Sequence, residues 1–364
     1  MRRFVSPLLL TLTLASLSLG WRSATPPISD LLQYPINMTL ADNVLYVSDA
    51  TNGLHVFDVA DLTAPKKRLQ IPLRGHRGAA VKGDIVYANE FGQLQAIQIT
   101  GDSYTVVARI GEKYKPVDDG VFNEGSSSGF ACACNTYSVD SAPRPAGGGS
   151  SSYATFALIG DYLYRVDEGD LVTYSVSTPA KPKEIARTHV GWEIETIYPT
   201  DNTLFIGGTR GMYIFDRSNP KAPVQLSQIE HARACDPVVV SGSTAYVTLR
   251  SNSGCGSAPD ELLCVGIDEP GAPRIIGTKP LATPYGLAVN NVQLFVSHGD
   301  SGYSLLDVTE AASPSVIRTW TSPTRDFIWS GNVLFVMSGD NVAIFDVTDP
   351  RAPVFLSKVE PDAS

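Results

Sequence analysis

Short motifs of common catalytic and ion-binding chemistries are missing from this chain. There is no H-E-x-x-H pair for a zinc protease, no G-x-x-x-x-G-K-[ST] cradle for nucleotide phosphates and no EF-hand loop for calcium. An excess of basic charge is also missing. Against 28 Lys and Arg stand 37 Asp and Glu, a net charge of -9, so a sequence-independent grip on nucleic acid phosphates is not expected. Glycine and proline, at 31 and 25 of 364 residues, are near ordinary usage, which excludes a collagen-like or wholly disordered chain. Beyond the first twenty residues no apolar run approaches the roughly 20 residues that cross a bilayer, so no transmembrane span is expected in a mature chain.

What is present begins with an address. Arg2 and Arg3 precede the apolar stretch Val5 to Leu19, and Ser18-Leu19-Gly20 places small residues where a signal peptidase cuts. Residues 1–20 are expected to be a cleaved secretory signal, with the protein secreted or periplasmic. No cysteine lies near that point to carry a lipid anchor. A lead-in over 21–34 and a tail over 360–364 flank the expected folded body, 35–359.

Within that body one unit recurs. Aligned on an aromatic residue, its copies fall at Tyr46, Tyr87, Tyr164, Phe205, Tyr246, Phe295 and Phe335, spaced by 41, 77, 41, 41, 49 and 40 residues. The two long gaps coincide with Gly/Ser-rich, Cys-containing text, at 111–152 and 250–260, and read as insertions. Each unit holds apolar runs of five to seven residues with a period of two, the pattern of strands. In the seventh unit they are Asp326 to Trp329, Val333 to Met337, Val342 to Val347 and Val354 to Val359.

Gly83-Asp84, Gly160-Asp161, Gly242-Ser243 and Gly331-Asn332 supply a positive φ for a hairpin after the first strand. Pro-rich text such as Asn219-Pro220 to Pro223 and Asp349-Pro350 to Pro353 separates the third strand from the fourth, since proline cannot donate to a ladder. A four-stranded antiparallel sheet cannot cover both its faces alone, whereas seven can shelter one another in a ring. The fold expected is all-β, a seven-bladed β-propeller of four-stranded antiparallel blades.

The phrases Leu45-Tyr-Val-Ser-Asp49, His55-Val-Phe-Asp-Val59, Tyr213-Ile-Phe-Asp216, Ser304-Leu-Leu-Asp-Val308 and Ala343-Ile-Phe-Asp-Val347 resemble the repeats of the LVIVD-repeat proteins, exported bacterial β-propellers. The resemblance covers residues 35–359 and implies the same fold. It implies no particular reaction, because that family has none generally established. Cys235 to Val240, with Ala245 to Arg250 and Cys255, is similar to a blade of its lipoprotein members.

Five cysteines in an exported chain leave one over. Aligned on the Asp that closes the third strand, Cys264 takes the apolar slot of Leu54, Met212, Tyr303 and Val342, and reads as a buried free thiol. Cys235 and Cys255 flank the first two strands of unit five and are expected to bridge, closing a loop worth about 3 kcal/mol. Cys132 and Cys134 are left unassigned. The closing Asp, at Asp58, Asp216, Asp268, Asp307 and Asp346, is expected to accept backbone N–H bonds in the turn that follows.

Gly125 to Gly129 fits G-x-S-x-G but has no strand before it or helix after it, so low-complexity linker is the better reading. Asp49 with Asn52, and Asp167 with Asp170, offer side-chain oxygens at turns, too few for calcium. No cofactor or metal is implied and no catalytic residue is assigned.

Binding residues are expected on the face where second-to-third-strand loops and blade-to-blade connections gather. Candidates in the connections are His76, Arg77, Trp192, His231, Arg233, Asp236 and Arg325, with His189, Glu193, Tyr285 and Asp326 in the same segments. Those in the loops are Glu90, Glu168, Arg210, Arg250, His298 and Asp300. Such a rim suits a protein or other extracellular ligand bound without catalysis. The alternatives are a glycan-acting hydrolase or lyase using rim His and acidic residues, and a structural component of an envelope assembly.

Overall fold

The computed structural model describes residues 31–112, 154–191, 194–230, 237–250 and 259–359. The expected signal 1–20, the lead-in up to residue 30, Cys132 and Cys134 with the Gly125–Gly129 text, the Cys235–Cys255 bridge and the tail 360–364 lie outside the described residues.

Twenty-eight strands form seven sheets of four, each built from strands consecutive in the chain. All pairings are antiparallel, as in Pro35–Ala41 with Val44–Asp49 and Val44–Asp49 with Gly53–Asp58. No helix occurs among the described residues. The first strands of successive blades touch around an axis, and Asp326–Ser330 of blade seven touches Pro35–Ala41 of blade one, so the ring closes as a seven-bladed propeller. Blade seven comprises Asp326–Ser330, Val333–Met337, Val342–Asp346 and Val354–Val359, within a residue of the strands read from periodicity.

All seven recurring aromatics are buried, from Tyr87 and Phe295 at 0% exposure to Tyr46 at 6%. Second and third strands sit between two neighbouring blades and are apolar on both faces; outer strands such as Ser103–Ile110 expose alternate residues. In every blade the third and fourth strands slip register at the residue opposite the aromatic or just after it: Val56, Ala96, Thr173, Ile214, Cys264, Leu305 and Ile344. A bulge there increases twist, which gives each blade its propeller pitch.

The four glycine hairpins carry the expected left-handed residue, at φ 57 to 60. Asp42 at φ 51 and Asn291 at φ 53 fill that place in blades one and six, where a short polar side chain tolerates what glycine permits. In the Pro-rich turns Asp58, Asp216, Asp307 and Asp346 accept the N–H two residues on, at 2.7–2.9 Å.

Asp268 is a correction. Gly266 pairs with Thr244 as Asp58 pairs with Val44, so Gly266 takes the closing position and Asp268 lies two residues further, beside Arg274. Cys264 therefore stands where Val56, Ile214 and Ile344 do, not where Leu54 does. It remains a fully buried free thiol, and burial pushes it up to about 12.

At each of the seven junctions the turn between third and fourth strands of one blade meets the blade before it. Arg68 Nη2 reaches Gly101 O (2.6 Å), Tyr87 Oη reaches Pro179 O (2.9 Å), and Tyr164 Oη reaches Pro220 O (2.8 Å). Ser227 Oγ reaches Pro270 O (2.6 Å), Arg318 Nη1 reaches Arg351 O (2.7 Å), and Ser357 Oγ of blade seven reaches Leu62 O of blade one (2.5 Å). Between blades five and six no donor is used: Gly277 lets Ala312 O approach so closely that an added Cβ would lie 2.0 Å from it. Ser227, Gly277, Arg318 and Ser357 share one register position, opposite the bulge.

Two substitutions test this latch. Ser357→Ala loses one hydrogen bond and should cost about 1 kcal/mol in urea unfolding, whereas Gly277→Val must push neighbouring blades away from each other and should cost more, about 3 kcal/mol. Equal midpoints for both variants and the parent would refute the latch.

Candidate ligand-binding face

First-to-second hairpins and latch turns occupy one end of the ring. The other end carries the second-to-third loops and the blade-to-blade connections, and its residues fall into two kinds.

Two histidines of this face, His76 and His298, are spent inward, whereas His189 is exposed with its Nδ1 3.0 Å from Asp170 Oδ1. His76 is buried, its Nε2 2.9 Å from Ser48 Oγ and its Nδ1 3.3 Å from Asn89 O. Burial lowers its pKa to about 4, only partly opposed by the Asn89 carbonyl and Asp49. His298 is 8% exposed, with Nε2 2.8 Å from Ser304 Oγ and Nδ1 3.0 Å from Ala282 O; burial pulls it down as well, against the Ala282 contact. The Ser304–His298 separation is that of a nucleophile and its base. Ser304, however, is mid-strand, buried, and also 2.9 Å from Thr319 Oγ1, so both pairs are polar cross-links between elements.

Glu90 accepts from Gln95 Nε2 at 2.6 Å, and Arg77 is exposed with its N–H on Asn89 Oδ1. Glu168, at φ 58, and Arg210 lie exposed in the tight loops of blades three and four. Trp192, Glu193, His231, Arg233 and Asp236 lie outside the described residues.

The remaining candidates come together in the sector of blades five to seven. Arg250 follows the second strand of blade five, Thr244–Leu249, and Tyr285 precedes the first strand of blade six, Leu287–Asn290. Asp300 is in the blade-six loop, and Arg325 ends the connection to blade seven. The Arg250 guanidinium lies 3.8 Å from the centre of the Tyr285 ring and that of Arg325 5.2 Å from it. Arg325 Nη2 is also 3.0 Å from Asp300 Oδ1.

Tyr285 is held on three sides. Its N–H donates to Ser297 O (2.8 Å), its carbonyl accepts from Thr248 Oγ1 (2.7 Å), and its ring edge rests on Gly299. At φ 59, with an added Cβ only 2.5 Å from Tyr285 Cε2, residue 299 must be glycine. Sequence reasoning found these rim side chains singly but not their meeting, nor the partners Ser48, Ser304, Thr248 and Gly299, which nothing in the repeat pattern marks.

The turn carboxylates have their partners. Burial pushes Asp49 up, but N–H groups of Tyr34, Gln33, Thr51 and Asn52 with the Thr51 hydroxyl outweigh it and leave its pKa lowered. Asp167 pairs with Arg165 and Arg187, and Asp170 with Arg187 and His189. Among the described residues no three His, Cys, Asp or Glu side chains are grouped to hold a metal, and no helix is long and apolar enough to cross a membrane.

Asp326 differs. It is wholly buried at the start of the first strand of blade seven, with Oδ1 on the Phe327 N–H (2.8 Å) and against Gly286, while Oδ2 has no partner among the described residues. Burial raises its pKa well above the usual range, against the one N–H bond.

Two pH effects follow with opposite signs. His76, lowered when folded, contributes stability above pH 6.5 that is lost as pH falls towards 4, on the order of 3 kcal/mol; His76→Asn should flatten that acid limb in chemical denaturation. Asp326, raised when folded, favours the fold at low pH and loses that contribution as pH rises from about 3.8. Asp326→Asn should therefore be the more stable protein at pH 7, the gap closing on acidification; a less stable variant at pH 7 would contradict the assignment.

With this geometry in hand, comparison with known proteins is informative about fold. Solved structures similar to this chain include a protein from Lactobacillus plantarum (14% identity, TM-score 0.60, covering 90% of this chain and 95% of that one). BamB from Moraxella catarrhalis matches at 10% identity and TM-score 0.53, over 82% and 77% of the two chains. Sqt1 of Saccharomyces cerevisiae matches at 9% identity and TM-score 0.57, over 90% and 86%. No curated protein matches. Residues 37–69, from the first strand of blade one into its fourth, match the LVIVD repeat, so this seven-bladed β-propeller carries in its first blade the repeat that the phrases of the sequence resemble.

Proposed function

We propose that the protein is an exported, non-enzymatic binding scaffold that engages a partner through the loop face. The observation that carries this reading is the division of labour between the two ends of the ring. One end carries the turn latches between blades, while the other presents Arg210 and, together, Arg250, Tyr285, Arg325 and Asp300 at loops outside those latches. On that face His76 and His298 are buried and committed to hydroxyl and carbonyl partners. Export is supported by Arg2, Arg3 and the apolar stretch ending at Gly20. The propeller and its LVIVD repeat fit a scaffold of this kind.

The test is retention of envelope proteins on the immobilised mature chain. Arg210→Ala with Arg250→Ala should reduce retention about tenfold or more, whereas Lys82→Ala, at the opposite end, should leave it unchanged. Equal retention by the double variant and the parent would remove the loop face from the mechanism. N-terminal sequencing of the exported protein should begin beyond Gly20; a chain starting at Met1 would refute cleavage.

A further inference from the structure

We propose that Arg250 and Arg325, ranged about Tyr285, form a clamp for a carboxylate, and that its occupant is an Asp or Glu side chain of a protein partner. This rests on the loop-face reading and gives it a chemistry.

Arg250 is 7% exposed, and among the described residues its guanidinium has no hydrogen-bond acceptor and no acidic partner; the Tyr285 ring at 3.8 Å is its contact. A π-face attracts a guanidinium but accepts none of its five N–H donors in a planar fork, and a buried charge without a counter-charge is costly. Asp326, the nearest buried acid in sequence to Arg325, does not serve: one oxygen is on the Phe327 N–H and the other has no partner among the described residues, an arginine included. The second guanidinium shows what the place accepts. Arg325 binds a carboxylate already, that of Asp300 at 3.0 Å, from a side chain 85% exposed at the tip of a loop. An exposed pair of this kind is weak and readily exchanged. A ligand carboxylate could displace Asp300 from Arg325 and reach Arg250, gaining the charge-assisted bonds that Arg250 lacks.

The site is built in advance. Tyr285 is fixed by Ser297, Thr248 and Gly299, and Thr324 N–H binds Gly299 O at 2.9 Å, stapling the blade-six loop to the connection that bears Arg325. A sugar is the poorer fit, because guanidinium groups already lie over the Tyr285 ring on which it would stack.

The probe is a hexaglutamate peptide titrated into the mature propeller by calorimetry, with hexaglutamine, inorganic phosphate and trigalacturonate as comparison ligands. Hexaglutamate should bind and hexaglutamine should not. Arg250→Lys and Arg325→Lys, which keep charge but lose the planar fork, should each weaken binding about tenfold. Asp300→Asn, which frees Arg325, should tighten it several-fold, an effect that a merely structural role for these arginines does not produce. Thermal melts of all three variants establish that they are folded, and Arg325→Lys, at the more exposed position, serves if Arg250→Lys is not. No binding of hexaglutamate, equal binding by both Lys variants, or a preference for phosphate or trigalacturonate would each overturn the proposal. Loss of partner retention in the Arg210→Ala, Arg250→Ala protein with hexaglutamate affinity unchanged in Arg250→Lys would sink the clamp and leave the loop-face reading standing.

Discussion

A backbone carbonyl docking against the neighbouring blade is the contact on which this ring depends. Four strands make a sheet one layer thick, apolar on both faces, and it is stable only between two others. Apolar packing alone is indifferent to how two sheets slide or tilt. The carbonyl in the turn between third and fourth strands removes that freedom, because it must meet a donor or a gap on the preceding blade, at four of the seven junctions at the one register position opposite the bulge. The donor is Arg, Tyr or Ser, and at one junction the place is simply vacated by Gly277. Since the acceptor is main chain, the device survives wide variation in side chains. The last junction uses it as well: Ser357 binds Leu62 O, and Met38 and Phe57 of blade one share a core with Trp329 and Val359 of blade seven. The ring closes without exchanging a strand between its ends.

Committing one end of every blade to its neighbour frees the other. The loops there include the two-residue turn of blade four, and the contacts they make between blades, such as Thr248 Oγ1 to Tyr285 O, do not use the turn between third and fourth strands. Other constraints on these loops are local. His76–Ser48 and His298–Ser304 each tie a loop to a strand, and Gly299 with Thr324 ties one loop to another. These ties give the arginine–tyrosine sector its rigidity and are independent of ring closure.

Blade number, strand order and hairpin ends were legible because each follows from a period or from a residue with few permitted conformations. A 41-residue repeat needs no knowledge of packing, and glycine before a polar residue signals positive φ by itself. Asp42 and Asn291 were not legible, since both residues are common outside that conformation. The register of Cys264 was misplaced for a related reason: alignment on the nearest Asp ignored that blade five has Gly266 at the closing position, and only cross-strand pairing exposes the two-residue offset. Rim residues were found as members of loops, but whether a loop side chain faces solvent or the blade beneath it depends on neighbours far away in sequence. His76 meets Ser48, and Arg250 meets Tyr285.

Those two meetings differ in a way that decides which group on this face calls for an external partner. Histidine taken out of water can shed its proton, and His76, with two polar contacts, is content as a neutral ring. A buried carboxyl can gain a proton, and burial pushes Asp326 in that direction, against the one Phe327 N–H bond. Arginine has no such exit, because its guanidinium keeps its charge throughout the range in which proteins are folded. Arg325 answers with Asp300, a carboxylate from its own chain. For Arg250 the tyrosine face compensates incompletely. On a protein whose net charge is -9, a fixed positive group enclosed and short of an acceptor among the described residues is a local inversion of the surrounding field, and it selects a ligand that brings negative charge with it.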